Sequence, residues 1–189
     1  KVNIYGNLGN DSGKYETIAF FDRTDKDLSQ TIDYLDNTTY NYIKAGIDYY
    51  IDNKNTFSFY TTQGFADTDF TVDTKTIENS NLIFDAPNLS VFDIKEESYN
   101  IDYKLDLDNE GENVELEINY SKNANPQNDF NTELIDPSSN VYNYTNEVVN
   151  NNSILLVNLD YTRPVKDGNL ELGFESRMKK TFNSILTNQ

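Results

Sequence analysis

The sequence predicts an all-β fold, an antiparallel up-and-down meander of about seven strands. Three observations carry that prediction. The first is alternation: Tyr99, Ile101, Tyr103, Leu105 and Leu107 are interleaved with Asn100, Asp102, Lys104, Asp106 and Asp108. Successive side chains of a strand point to opposite faces, so such a run has one oily and one wet face. The second is recurrence of a strand–turn–strand unit: Ile47-Asp48-Tyr49, Ile101-Asp102-Tyr103 and Leu159-Asp160-Tyr161 each precede a tight turn and a second strand. The third is composition. Net charge is −17, which pulls towards disorder, but 14 Tyr and 11 Phe among 189 residues, with many β-branched neighbours in alternating runs, pull back to a fold.

Taken in order, Lys1 to Leu8 sets Val2, Ile4 and Leu8 against Asn3, Tyr5 and Asn7, and Tyr15 to Phe21 continues in strand-like fashion after a Gly/Asn/Asp/Ser breaker cluster. Asp22 to Thr39 reads as a polar loop, with a short helix over 27–34 as a minor option. From Tyr40 to Ile51 the residues Ile43, Ala45, Ile47 and Tyr49 oppose Lys44, Gly46 and Asp48, and Asp52-Asn53-Lys54-Asn55 is a tight turn. Thr56 to Phe65 follows, with alternation persisting past Phe70 and Val72. A long polar segment then runs to Glu97, containing an apolar patch at 82–84 and 89–92. The 99–108 strand and 114–121 flank the acidic turn Asn109 to Asn113. Residues 122–151 read as another long polar connection. The last hairpin joins 154–162 to 170–178 through Pro164 and Asp167-Gly168, where Pro interrupts the ladder and Gly is expected to take positive φ.

Connections are thus expected to alternate: long at about 9–39, 66–98 and 122–151, short at 52–55, 109–113 and 163–169. All tight turns would lie at one end of the strands and all long loops at the other. Amphipathic strands suit either a soluble sandwich or a barrel in lipid. A sandwich scatters its loop lengths between both ends, whereas short turns on one side, long loops on the other and tyrosines near strand ends mark a transmembrane β-barrel. The expectation is therefore a single unit over 1–189, a barrel segment with hairpins near 40–65, 99–121 and 153–178. Its lipid-facing residues would be Ile43, Ile47, Phe57, Phe59, Ile101, Tyr103, Leu105, Leu116, Ile118, Leu155, Val157, Leu159, Leu170, Leu172 and Phe174. Its lumen-facing residues would be Lys44, Asp48, Asp102, Lys104, Glu115, Glu117, Asp160, Glu171, Glu175 and Arg177. A soluble β-sandwich that binds glycan or protein at a cell surface is the rival, with the wet parity then an ordinary solvated face.

Several function classes fall away on composition. Without Cys there are no disulfides, thiolate zinc sites or cysteine nucleophiles, and without His there is no Ser-His-Asp chemistry or imidazole ligand within these residues. Strong acidity opposes nucleic-acid binding, which needs a positive footprint. No run of about 18 apolar residues spans a bilayer as a helix. Lys1-Val2-Asn3-Ile4 is already in strand register, so no signal peptide is expected to open the chain; a leader would have been removed or lie upstream.

Three segments carry a family resemblance: Tyr42-Ile43-Lys44-Ala45-Gly46-Ile47-Asp48-Tyr49-Tyr50, Leu116-Glu117-Ile118-Asn119-Tyr120-Ser121, and Asn158-Leu159-Asp160-Tyr161-Thr162-Arg163-Pro164 with Leu170-Glu171-Leu172-Gly173-Phe174-Glu175 after its turn. They resemble the outer-membrane β-barrel family of Bacteroidota and are similar to the barrel of TonB-dependent receptors. The resemblance implies a bacterial outer-membrane barrel that imports nutrients and is energised by a TonB-type periplasmic partner, with a surface lipoprotein as a further partner. No plug domain or partner-binding box is visible, and seven strands are too few to close a receptor barrel, so the resemblance also implies a piece of a longer chain.

Two motifs invite chemistry. Asp106-Leu107-Asp108-Asn109-Glu110-Gly111, with Glu117 beyond it, nearly fits a calcium loop, making Asp106, Asp108, Glu110 and Glu117 the metal candidates. Glu110 departs from the usual Asp or Asn, and the flanks have a strand period rather than a helical one, so an acidic hairpin turn is the competing reading. Glu115 with Glu117, or Glu171 with Glu175, match the acid–base pairs of glycosidases only in spacing, since any wet strand face presents such pairs. No enzymatic activity and no cofactor are expected.

Overall fold

A computed structural model gives the fold and describes residues 1–135 and 141–189. Seven strands form one sheet: β1 (Val2–Arg23), β2 (Leu28–Tyr50), β3 (Asn55–Glu78), β4 (Asn81–Asp106), β5 (Asn113–Ile135), β6 (Val141–Val165) and β7 (Gly168–Asn188). Each is antiparallel to the next, and spatial order equals sequence order. The all-β up-and-down meander of seven strands is therefore as the alternation predicts.

The loop alternation is not. The segments read as long connections, 9–39, 66–98 and 122–151, are strand over nearly their whole length, and no helix forms at 27–34. Thr24 to Asp27 joins β1 to β2, and Asn79-Ser80 joins β3 to β4. Asn79 and Ser80 have φ of 49° and 62°. Two successive residues with positive φ make the turn whose twist matches that of the flanking strands, which is why a two-residue connection suffices. At the opposite rim the turns centre on residues 52–54, 107–112 and 166–167. Gly168 is not among the residues with positive φ; Gly111 takes that role, at 79°. Residues 136–140, between β5 and β6, lie outside the described residues.

What the polar segments lack in apolar contrast they recover in cross-strand hydrogen bonds. The Thr38 and Thr68 hydroxyls meet at 2.8 Å, Ser90 donates to Asp129 at 2.6 Å, Asn10 to Asn41 at 2.7 Å, and Thr132 to Asn143 at 2.9 Å. Each such pair contributes about 0.2–1 kcal/mol to a sheet. With 21 to 26 residues, the strands are roughly 70–90 Å long. Crossing a bilayer takes only about 9–11 tilted residues, so each ribbon is about twice as long as such a span needs.

Residues directly opposite one another share a face, so the register assigns every side chain. One row reads Ile4, Ile47, Phe59, Ile101, Ile118 and Val157. The next row towards the turns at 52–54 reads Val2, Tyr49, Phe57, Tyr103, Leu116, Leu159 and Phe174. Among the described residues no second layer packs on this face: Leu172 is 59 % exposed and Phe174 61 %, and the buried hydrophobic residues of the sheet are Ala66 and Ala86. The strand residues that are buried, Gly46, Gly64, Ala66, Thr76, Ala86 and Asn100, all sit on the opposite, polar face. The sheet therefore crowds its polar side and spreads its apolar side. A soluble sandwich does the reverse and needs a second sheet over the oily parity.

On β2, β3 and β4 this amphipathicity inverts farther from the 52–54 rim. Beyond the row of Tyr40, Ala66 and Ile94, the crowded face carries Ile32, Tyr34, Phe70, Val72 and Phe92. The spread face there carries Asp33, Asp67, Asp69, Asp73, Asp85 and Asp93. On these three strands an apolar band near the 52–54 rim thus gives way to a face dominated by carboxylates, with Leu35, Leu89 and Val91 among them.

Candidate functional site

The residues predicted to face a lumen meet on the crowded face. Asp48, Asp102 and Glu117 fall in one row, Asn3-Asp48-Ser58-Asp102-Glu117-Asn158-Glu175, while Lys104 and Glu115 pair directly in the next towards the turn. Lys44, Asp160, Glu171 and Arg177 share that face by the same register. All the residues predicted to face lipid, from Ile43 and Ile47 through Leu105 and Leu155 to Leu170, lie on the other.

Within the row, Asn3 donates to Asp48 at 3.1 Å, Ser58 donates to the other Asp48 oxygen at 2.9 Å, and Asn158 donates to Glu117 at 3.3 Å. Lys104 bridges Glu115 at 3.1 Å and Asp106 at 3.8 Å, and Arg177 lies 3.5 Å from Glu175. Lys44 sits over the Tyr60 ring, 5.3 Å from its centroid. Linked in this way, Asp48, Glu115, Glu117 and Glu175 each meet a donor or a cation, while Asp102 stands between Ser58 and Glu117 without a side-chain partner among the described residues.

Farther along the same face the polar wall extends beyond the residues that the sequence pattern singles out. Tyr40, Thr62, Gly64, Glu96, Ser98, Ser121, Asn123 and Asn152, with Glu97 and Lys122 of the opposite parity, line a groove of about 250 Å³. Tyr40 Oη donates to one Glu96 oxygen at 3.4 Å and Asn123 Nδ2 donates to the other at 3.2 Å. Three tyrosines shape the wall: Tyr5 lies over Gly46, Tyr42 over Gly9 and Tyr40 over Gly64, each filling space that a β-carbon would need. These residues continue the parity of Lys44 and Asp102. The signal was that unbroken parity, masked because Thr, Ser and Asn alternate with other polar residues.

The calcium candidates are not brought together. Glu117 stands in β5 opposite Asp102, whereas Asp106 pairs with Asn113 at the strand end. Asp108 is ion-paired with Lys54 from the neighbouring turn. Among the described residues no cluster of three or more Asp or Glu has metal-binding geometry. Instead the turn is organised by Glu112: Tyr161 Oη and Asn109 Nδ2 donate to its carboxylate, and Arg163 Nε lies 3.9 Å away. Those donors hold the Glu112 carboxyl below the usual glutamate range against the opposing effect of desolvation.

Comparison with protein families matches residues 105–189, from the end of β4 through β7, to the Outer membrane protein beta-barrel family. The match covers just under half of the chain. No curated protein matches the chain. The antiparallel meander and this match together place the protein in the bacterial outer membrane as β-barrel wall.

Proposed function

We propose that this chain forms part of an outer-membrane β-barrel receptor that takes up a nutrient, energised through a TonB-type periplasmic partner and served by a surface lipoprotein. The observation that carries the reading is the inversion of amphipathicity along β2 to β4. Below it, the outer face offers hydrocarbon to acyl chains and the inner face is charged. Above it, the outer face is acidic and the inner face gains Tyr34, Phe70 and Phe92 beside Asp36, Thr38 and Ser90. Aromatic faces next to hydrogen-bonding groups are the ordinary means of holding a polar organic solute. In this picture the turns at 52–54, 107–112 and 166–167 face the periplasm and the long ribbons rise from the cell.

The energetics favour lipid over water for the apolar band. Removing a Leu, Ile or Phe side chain from water is worth roughly 1.5–3 kcal/mol. Leaving the whole outward band in water would forgo a stabilisation on the order of 10–30 kcal/mol, comparable with or larger than the net stability of a typical domain. We assign no catalytic step to the chain, because the carboxylates of the inner face are spread along the strands of an open sheet rather than gathered at a cleft.

Uptake by cells carrying the protein tests the proposal. Accumulation of a labelled nutrient pool should depend both on the protein and on an energised TonB-type partner. Glu96→Ala with Tyr40→Phe should alter it while the barrel still inserts. Uptake indifferent to the energising partner would remove the TonB element and leave a passive barrel.

A further inference from the structure

We propose that the outer face between β5 and β7 carries a binding site for the phosphate-bearing headgroup of a membrane lipid. Tyr120, Lys122, Asn151, Asn152, Ser153, Lys180 and Phe182 line an open cavity of about 320 Å³. The register puts all of them except Asn152 on the apolar, outward face: Lys122, Ser153 and Lys180 form one row across β5, β6 and β7. The row beside it, towards the 52–54 rim, reads Tyr120, Leu155 and Met178, and the row beyond reads Ala124, Asn151 and Phe182.

The site therefore lies where the hydrocarbon band ends. Tyr99 and Tyr120 stack at that border with ring centroids 6.3 Å apart, the position at which amphipathic rings settle between acyl chains and headgroups. Lys122 and Lys180 stand two strands apart, roughly 10 Å across the ladder, with the Ser153 hydroxyl between them. Among the described residues neither lysine has a carboxylate within salt-bridge distance, although Glu97 faces Lys122 from the β4 side. In a chain of net charge −17, two cations in one row on the lipid-facing border, with a single carboxylate, Glu97, beside them in that row, leave a positive charge for a group from outside the protein to meet. A lipid phosphate meets it, and the acyl chains of the same molecule cover Leu155 and Met178. Basic clusters at membrane borders recognise anionic headgroups in this manner. A soluble phosphate meets the lysines but leaves the oily row bare.

The test uses the membrane-inserted protein in phosphatidylcholine bilayers, with spin-labelled phosphatidic acid or spin-labelled phosphatidylcholine as probe. The immobilised fraction should show preference for phosphatidic acid, on the order of five-fold for each lysine engaged. Lys122→Gln with Lys180→Gln should bring the two probes to near equality, and Lys122→Arg with Lys180→Arg should keep the preference and show that the site still folds. Lys14→Gln, outward-facing but far up β1, should leave it intact. The proposal is overturned if the native protein shows no preference, if the double Gln variant keeps it, or if inorganic phosphate abolishes it where sodium chloride of equal ionic strength does not.

Discussion

Tyr42 lies across Gly9, its ring filling the space that a side chain on the glycine would require. The two residues are direct cross-strand partners on the inner face, as are Tyr5 and Gly46, while Tyr40 reaches diagonally over Gly64. Glycine in a strand weakens it unless something else uses the room, and a neighbouring ring restores the lost packing while letting the sheet bend. Gly46→Val should therefore lower stability by about 1–3 kcal/mol, the usual range for overpacking. Gly168→Ala, which meets nothing within 4 Å, should be close to neutral. Thermal unfolding in detergent followed by circular dichroism separates them, and equal losses at the two sites would refute the tyrosine cover.

The two faces should respond oppositely to charge. Ile118 is outward and Glu117, its neighbour in sequence, is inward and exposed. Ile118→Arg should cost about 1–3 kcal/mol in urea unfolding from lipid vesicles, between the penalty at the bilayer midplane and that at the border one row away at Tyr120. Glu117→Arg should change stability by well under that amount. Similar penalties would mean that the apolar face does not meet hydrocarbon.

Acid should loosen the 107–112 and 52–54 turns. The Glu112 carboxyl is lowered by Tyr161 and Asn109, and that of Asp52 by the Asn55 side chain and the Lys54 amide. Both folded-state values lie below those of the unfolded chain. Their contribution is thus fully present above the ordinary carboxyl range, about 4, and is lost as pH falls through the folded values. Thermal midpoints measured from pH 6 downwards should fall less steeply in Glu112→Gln than in the parent. An unchanged slope would show that the Glu112 hydrogen bonds do not bias folding.

The Asn79-Ser80 turn gives a test at the opposite rim. Both residues hold positive φ, where a β-branched side chain is strained. Asn79→Val should destabilise by roughly 1–2 kcal/mol, and Asn79→Gly should be neutral or slightly stabilising. Hydrogen exchange at Glu78 and Asn81 is the sensitive readout, because they form the last pair of the β3–β4 ladder.

What was legible in the sequence follows the contrast between its two parities. Around Ile101 and Ile118 the contrast is steep, and both the strand and the face of each residue could be read. Around Asp67 to Asp73 three of the four side chains of one parity are carboxylates and those of the other include Thr68, Phe70 and Val72, so the alternation persists but the oily parity changes sides, and the strand's continuation to Glu78 is not readable from it. Along Asn123 to Asn131 nearly every residue of the inner parity is an amide or acid, and pattern alone offers nothing to follow. Pairing made those strands: the ladder continues wherever a partner ribbon offers backbone groups, with Ser90 and Asp129 adding a side-chain bond. The calcium-like spacing failed for a related reason, since its last carboxylate, Glu117, was carried up a strand instead of around a loop.

In the proposed orientation, with the 52–54 turn towards the periplasm, ribbons that continue as sheet far above the lipid have a consequence for whatever touches the cell from outside. A phage fibre or an antibody would encounter a stiff, negatively charged palisade with a two-residue repeat, rather than floppy tentacles. Cysteines introduced one by one along Asp67 to Asp73 should accordingly label in an odd–even rhythm on intact bacteria.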